Sequence, residues 1–184
     1  NPRAFLSSHR ALSARPEFTW HRGDVRHFAL PTGSFPVVIH AATSASEHLN
    51  LGQPIDMFDT IVEGTRRVLG FAAARGTEAL LLTSSGAVYG RQPLDLLFIP
   101  ESFNPAPESN PVRSAYTEGK RAAELLAIES GLPVKIARGF AFVGPQLPLD
   151  THFAVGNFVR DALRGGPIVV RGDGTPFRSY LYAA

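Results

Sequence analysis

Residues 35–85 decide the fold, because "FPVVIHAA" (35–42) and "EALLLTSS" (78–85) flank "PIDMFDTIVEGTRRVLGFAAARG" (54–76). The two short apolar runs are typical of buried strands, whereas the middle segment has helical periodicity and stops at Gly76. Strand, helix and strand in this order predict a parallel pair of strands with a right-handed crossover. The sequence therefore indicates an α/β protein.

The rest of the chain continues this alternation. "LPVKIARGFAFVGP" (132–145) predicts another strand, "HFAVGNFVRDALRGG" (152–166) a helix, and "PIVVRGDGTPFRSYLY" (167–182) a hairpin that turns at Gly-Asp-Gly. Residues 90–114 contain five prolines, which make a helix improbable there. This segment is predicted to be a long ordered loop or an insertion, and loops of that length are usually functional or disordered.

Composition narrows the class of protein. The chain has 184 residues, of which 44% are hydrophobic and 18% charged, and this balance predicts a packed core rather than disorder. A formal net charge of +2 with scattered arginines argues against a nucleic-acid partner, and no apolar run is long enough to span a bilayer. The absence of cysteine suits a reducing compartment, so we expect a cytoplasmic protein.

Three segments lie where the predicted parallel strands end. His40 to Thr43, Thr83 to Gly86 and Gly139 to Ala141 are the three segments concerned. In open parallel sheets, ligands bind beyond the carboxyl ends of the strands. We therefore expect these segments to border one crevice.

The segment "SAYTEGKRAAELL" (114–126) places Tyr116 and Lys120 one helical turn apart. Alone, this spacing fits either an acid/base pair or two surface residues. The hydroxyls of Ser84 and Ser85 could likewise be catalytic or could satisfy backbone groups at a strand end. His40 is interpreted as a core histidine rather than a ligand and Tyr89 as a packing residue, and no group of side chains has convincing metal-ligand spacing.

Five motifs together resemble a known family: "VVIHAAT", "TSSGAVYG", "YTEGK", "ARGFAFVGP" and "RGDGTPFRSYLY". Over residues 24–182 the chain is similar to the extended short-chain dehydrogenase/reductases, specifically the nucleotide-sugar epimerases and dehydratases. The resemblance implies a Rossmann-like doubly wound parallel sheet, of which residues 1–150 form a partial dinucleotide-binding domain without the first strand–helix unit, and the start of a smaller nucleotide-sugar-binding lobe in residues 151–184. It also implies NAD as cofactor, with NADP not excluded, and a homodimer formed through the two long helices.

The resemblance gives Ser85, Tyr116 and Lys120 catalytic roles that fit the chemistry. Oxidation of a sugar hydroxyl by hydride transfer requires a base at the hydroxyl proton. A free phenol has a pKa of about 10 and is a weak base at neutral pH, but a nearby ammonium favours the phenolate. Tyr116 is then the base, Lys120 its electrostatic partner, and Ser85 a hydrogen-bond partner of the sugar oxygen.

Further residues are assigned by the same resemblance. Those expected at the cofactor are Asp24, Val25, Ala41, Ala42, Thr43, Tyr116, Lys120 and Phe140. Those expected at the substrate are Ser85, Asn157, Arg171 and Arg178. A guanidinium suits a pyrophosphate because its donors match phosphate oxygens in pairs. Asp24 could also be an ordinary turn residue, and Arg171 a solvated strand residue.

The sequence departs from the family pattern in several places. It contains no glycine-rich phosphate-binding turn, so we expect the segment to be the middle of a longer protein and not to bind NAD tightly alone. Gly86 and Ala87 occupy the positions of the acid pair that 4,6-dehydratases use, while Ala141 and Ile61 stand in place of asparagines. An epimerase-type enzyme is the leading hypothesis, and a dehydratase, a ketone reductase or a non-catalytic dinucleotide-binding protein is the alternative.

Overall fold

The structure is a computed structural model that describes residues 15–43, 47–93, 95–104, 111–145, 147–150, 153–170, 172–174 and 178–183. Its strands are β1 (Val37–His40), β2 (Ala79–Ser85), β3 (Val134–Gly139), β4 (Ala141–Val143) and β5 (Tyr180–Tyr182). Its helices are α1 (Glu47–Gly52), α2 (Pro54–Ala74), α3 (Pro111–Ile128) and α4 (Ala154–Leu163). One turn of 3-10 helix, Gly86–Tyr89, follows β2 directly.

The main sheet is parallel, as the order of its elements predicts. Its strands lie in the order β1-β2-β3, with Ile39 opposite Leu81 and Ser84 opposite Arg138. All three strands therefore end at the same edge of the sheet. Two long helices connect them, α2 between β1 and β2 and α3 between β2 and β3.

The core lies between one face of this sheet and the two long helices. Its buried members are Met57, Ile61, Val68, Leu69 and Ala72 of α2, Leu80 and Leu82 of β2, and Ala123 and Ala127 of α3. Helical spacing of buried residues along α2 matches what the sequence predicts, whereas β2 is fully buried only at alternate residues and not along its whole length. The core therefore fixes α3 against the strand that ends at Ser85.

Burial of β1 differs from the prediction. Val37 and Ile39 are 64% and 65% exposed, whereas His40 at the end of the strand is buried. Of the described helices, α2 and α3 both pack on the opposite face, where the core cluster lies. An apolar run shows that a strand can be buried on two faces, but the packed elements decide whether it is.

Two predicted boundaries need correction. The loop predicted over 90–114 is shorter, because α3 begins at Pro111, and proline is well suited to the first turn of a helix. The strand predicted over 132–145 divides at Phe140 into β3 and β4, which belong to different sheets. A local apolar pattern cannot show that successive residues pair with strands of different sheets.

The hairpin predicted over 167–182 is wrong. Within the described residues of that segment, Tyr180–Tyr182 forms the strand β5, and its partner is the parallel strand β4 rather than residues 167–170. Gly172 and Gly174 do adopt positive φ angles of 112° and 75°, as a turn requires. The prediction of turn-like glycines is therefore confirmed, but the strand with which β5 pairs depends on tertiary contacts.

Candidate active site

The carboxyl ends of β1 and β2 are joined by a hydrogen bond, as the predicted crevice requires. Thr83 Oγ1 donates to the carbonyl of His40 at 3.1 Å. Ser85 ends β2, and its Oγ accepts from the backbone N–H of Ala87 at 3.1 Å. Ser85 is also opposite Gly139, the last residue of β3. The structure thus brings all three strand ends together around Ser85.

Tyr116 and Lys120 lie on the face of α3 that meets this edge. The Lys120 Nζ donates to the carbonyl of Thr83 at 2.9 Å and lies 5.8 Å from the centroid of the Tyr116 ring. Lys120 is only 5% exposed. The interpretation of Lys120 as a solvated helix residue is therefore wrong, because its ammonium is buried against the strand that carries Ser85.

Burial and one neighbouring charge modify the pKa of this ammonium, which in turn acts on a buried histidine. Burial lowers the pKa of Lys120 from 10.5 to about 8, and the negative charge of Glu124 opposes that change. His40 is buried nearby, and desolvation together with the positive charge of Lys120 lowers its pKa to about 4. His40 Nε2 lies 3.0 Å from Thr65 Oγ1 on α2, which confirms its interpretation as a satisfied core histidine.

The N-terminal part of α3 has a second support in α1. The side-chain Oδ1 of Asn50 accepts a hydrogen bond from the backbone N–H of Tyr116 at 3.1 Å. Tyr116 is the sixth residue of α3, beyond the four N–H groups that lack partners at a helix start, so this bond is a link between α1 and α3 rather than a helix cap. Sequence reasoning did not single out Asn50, since its partner is 66 residues away along the chain.

A buried carboxylate, Glu124, is the main site feature that sequence reasoning missed. It accepts hydrogen bonds from Ser84 Oγ and from Arg138, whose Nη2 lies 2.7 Å from Oε2. Arg138 also donates to the hydroxyl of Tyr89 at 2.8 Å. The spacing of Glu124 four residues after Lys120 was the available signal, because it places both on one helix face.

Tyr89, Phe140 and Gly86 form one packed unit after β2. Tyr89 is 3% exposed and its ring stacks on Phe140, with centroids 6.1 Å apart and planes at 13°. A Cβ at Gly86 would lie 2.5 Å from the Phe140 ring. The interpretation of Tyr89 as a packing residue is confirmed, and Gly86 is needed for this close approach.

Asp24 and Val25, which are expected at the cofactor, lie in a turn of residues 24–28 that packs on α2. Asp24 accepts from Arg26, whose Nη2 is 2.7 Å away, and this ion pair holds the pKa of Asp24 below its usual range. Arg26 also contacts Asp56 at 2.7 Å. Val25 packs so closely on α2 that a Cβ at Gly64 would lie 2.7 Å from its Cγ1. Asp24 therefore has a structural role in this turn.

The remaining predicted site residues are spread over the chain. Ala41 and Ala42 are exposed just after β1, and Thr43 is half-buried there. Asn157 lies in the first turn of α4, where its Oδ1 accepts from Arg160 at 2.7 Å. Arg178 is exposed shortly before β5, and Arg171 lies outside the described residues.

Two further features concern the ranges that the structure describes. There, no three His, Asp or Glu side chains are grouped as a metal ion would require. The helices of the same ranges include none with the length and apolar character needed to cross a membrane.

A parallel sheet with helices between its strands, and a Tyr–Lys pair facing the strand ends, define the chain as a Rossmann-like α/β protein. A model of the NAD dependent epimerase/dehydratase family matches residues 6–184. The chain therefore belongs to that family.

Known proteins show the same relationship. UDP-glucuronic acid decarboxylase 5 of Arabidopsis thaliana is 38% identical over 158 residues, a match that covers 80% of this chain and 43% of that protein. UDP-glucose 4-epimerase of Thermotoga maritima, solved with UDP-glucose, is 28% identical with a TM-score of 0.66, covering 80% and 48% of the two chains. A dTDP-glucose 4,6-dehydratase of Streptomyces venezuelae shares the fold, with a TM-score of 0.78 at 24% identity over 98% of this chain and 54% of that one.

Proposed function

We propose that the protein containing this chain oxidises a hydroxyl of a nucleotide sugar transiently, with Tyr116 as the base and NAD as the hydride acceptor. The observation that carries the proposal is the buried Lys120 ammonium, which is bonded to the end of β2 and lies beside the Tyr116 ring. A lysine is rarely buried without a function or a partner. Here its charge is available to stabilise a phenolate.

The proton step follows from these positions. As the sugar C–H bond breaks, Tyr116 takes the proton of the hydroxyl, and it returns that proton when the ketone is reduced. The ammonium of Lys120 lowers the cost of the phenolate by direct charge attraction, which low solvent exposure strengthens. The hydroxyl of Ser85 donates a hydrogen bond to the sugar oxygen and polarises the ketone on the return step.

The residues at the strand ends are compatible with a dinucleotide. Ala41 and Ala42 are small and exposed after β1, so a ligand can approach the backbone there. Phe140, 55% exposed, provides an aromatic face beside the end of β3. The nicotinamide, when bound, supplies the hydride acceptor. The sequence has no glycine-rich turn, so we assign no residue to the cofactor pyrophosphate.

The fate of the ketone separates the candidate reactions. Epimerisation requires only return of the hydride to the opposite face of the sugar carbon, and this is the reaction we propose. Elimination of water in the manner of the 4,6-dehydratases is disfavoured, since Gly86 and Ala87 carry no carboxylate. Net ketone reduction would consume reduced cofactor, which the proposed cycle regenerates.

Decarboxylation of UDP-glucuronic acid is a second candidate, favoured by the 38% identity to a decarboxylase of that substrate. Oxidation at C4 makes the sugar carboxylate a β-keto acid. Loss of carbon dioxide then leaves an enolate that is protonated and reduced. The first step uses the same base, so Tyr116, Lys120 and Ser85 would have the same roles in both reactions.

The substrate residues and the assembly are also proposals. Arg178 has the charge to bind a pyrophosphate, and Asn157 in the first turn of α4 has an amide that can contact the same group. The planar guanidinium of Arg171 can stack against the nucleotide base. We place the start of the nucleotide-sugar-binding lobe at residue 151. A cytoplasmic homodimer formed through α2 and α3 is proposed as well, and sedimentation of the full-length protein tests its assembly.

The decisive experiment compares the wild-type full-length protein with Tyr116→Phe. The wild type is expected to transfer deuterium from the oxidised carbon of a nucleotide sugar to the cofactor, and the variant to lose at least about 100-fold in rate. Full activity in Tyr116→Phe would show that Tyr116 is not the base. Release of carbon dioxide from UDP-glucuronic acid would select the second candidate, and an epimer at C4 the first.

A further inference from the structure

Glu124 and Lys120 attach the end of β2 to α3 at two consecutive residues. Lys120 binds the carbonyl of Thr83, and Glu124 accepts from the hydroxyl of Ser84. Thr83 and Ser84 immediately precede Ser85. The distance between the Ser85 hydroxyl and α3, which carries Tyr116, is therefore set by two hydrogen bonds rather than by apolar packing alone.

Arg138 fixes Glu124 from the neighbouring strand. Its Nε and Nη2 lie 3.0 and 2.7 Å from the two carboxylate oxygens, and the Glu124 side chain is only 8% exposed. Arg138 is also the residue opposite Ser84 in the β2–β3 ladder. A buried carboxylate that accepts from two strands has little freedom to move, because every shift would break a charge-assisted hydrogen bond.

Arg138 also contacts Tyr89, the last residue of the turn Gly86–Tyr89 that follows Ser85. Its Nη1 donates to the Tyr89 hydroxyl at 2.8 Å, and its guanidinium carbon lies 4.9 Å from the centroid of the Tyr89 ring. The near end is held by the hydrogen bond from Ala87 N to Ser85 Oγ. The turn Gly86–Tyr89 is therefore bonded to Ser85 at its start and to Arg138, the partner of Glu124, at its end.

The charge of Glu124 also acts on Lys120. Charged or titratable groups that face this ammonium include His40 from β1, Tyr116 and Glu124 from α3, and, through Glu124, Arg138 from β3. Of these, Glu124 is the group whose charge favours the protonated lysine, against the effect of burial. Removing that charge while keeping the side-chain shape should therefore make Lys120 lose its proton at a lower pH.

We infer that Glu124 is a positioning residue, which holds the Ser84–Ser85 end of β2 at a fixed distance from Tyr116 and keeps the Lys120 ammonium protonated. This inference deepens the proposed function and rests on it. Misplacement of a reacting group by about 1 Å can lower a rate about 100-fold, so a residue of this kind affects turnover more than substrate affinity.

Two variants of the full-length protein separate the geometric and the electrostatic effects. Glu124→Gln keeps the shape and removes the charge, whereas Ser84→Ala keeps the charge and removes the hydrogen bond to β2. Glu129→Gln is the matched control, because Glu129 is exposed just beyond the end of α3. The measurements are kcat and KM for the nucleotide sugar, and titration of the Lys120 side chain by NMR, assigned with Lys120→Arg.

We expect Glu124→Gln to lower kcat at least about tenfold with KM within about twofold, and to move the Lys120 midpoint to lower pH. Ser84→Ala should lower kcat and leave that midpoint in place, and Glu129→Gln should match the wild type. An unmoved midpoint in Glu124→Gln, or wild-type kcat in Ser84→Ala, would overturn the inference. If Glu124→Gln does not fold, the kcat of Ser84→Ala tests the inference, which a lowered kcat would support and a wild-type kcat would overturn.

Failure of the proposed function has a different signature. Full activity in Tyr116→Phe would show that the phenol is not the base, and it would do so whatever Glu124 does. The NMR titration does not depend on turnover, so it still decides whether Glu124 controls the protonation of Lys120.

Discussion

The Nζ of Lys120 donates a hydrogen bond to the carbonyl of Thr83 at 2.9 Å, so the helix that carries Tyr116 is attached to the strand that carries Ser85. The ammonium is almost wholly removed from solvent. A charged group in such a place needs strong compensation, and the carbonyl and Glu124 supply it. This one contact links the local sequence motif to the tertiary arrangement of the site.

Replacement of this lysine should lower turnover. In Lys120→Met, the phenolate that Tyr116 forms during the proposed proton transfer loses the neighbouring positive charge that stabilises it. We expect kcat to fall about 100-fold or more, as measured by single-turnover hydride transfer in the full-length protein. Lys135, exposed on β3, provides the control Lys135→Met, which should keep the wild-type rate.

His40 should make the fold sensitive to mild acid. Its pKa is about 4 in the folded chain and near 6.5 when exposed, so stability is lost as pH falls from 6.5 towards 4. Between pH 7 and 4.5 this effect amounts to about 2.5 kcal/mol, since one pKa unit corresponds to about 1.4 kcal/mol.

His40→Gln should reduce that acid-dependent loss in urea denaturation, whereas His27→Gln, at an exposed position, should not. Equal loss of unfolding free energy in the wild type and His40→Gln would contradict the assigned burial of a neutral imidazole.

Gly86 should be intolerant of a methyl group despite its ordinary backbone angles. The new Cβ of Gly86→Ala would lie 2.5 Å from the Phe140 ring, which must then leave its stacked position on Tyr89. We expect a loss of about 1 kcal/mol in unfolding free energy.

Gly70→Ala is the comparison, because a Cβ at Gly70 in α2 has nothing within 4 Å. That variant should gain about 0.5–1 kcal/mol from helix propensity. Thermal melts of the two variants should thus shift in opposite directions, and two shifts of the same sign would contradict the packing described for Gly86.

Ile61 should matter for stability because it packs between the two long helices. It is 2% exposed, and a Cβ at Gly119 of α3 would lie 3.1 Å from its Cδ1. Ile61→Ala should cost about 3 kcal/mol through lost burial and the cavity left behind. Ile55, 72% exposed on the same helix, supplies the control, and Ile55→Ala should change stability by less than about 0.5 kcal/mol. Similar midpoints for the two variants in denaturant would contradict this placement of the core.

Local pattern was enough to predict the parallel sheet, the helices α2, α3 and α4, and the shared face of Tyr116 and Lys120, but not the short helix α1. These features depend on periodicity within a few residues: two for a strand and about 3.6 for a helix. Helix α2 ends at Ala74, two residues before Gly76, whose positive φ of 65° is one that glycine adopts without strain. The order of elements then required the strand ends near His40 and Ser85 to meet.

Contacts between distant residues could not be predicted in this way. Ser84 and Arg138 bind Glu124 from positions 40 and 14 residues away along the chain, and β5 pairs with β4 instead of forming the hairpin that its glycines predict. Sequence by itself determined the elements and the family motifs, since these are properties of neighbouring residues. Only the tertiary structure decided which strands pair, which face of β1 is covered and which charges compensate Lys120, because burial and hydrogen bonding depend on what the rest of the chain brings there.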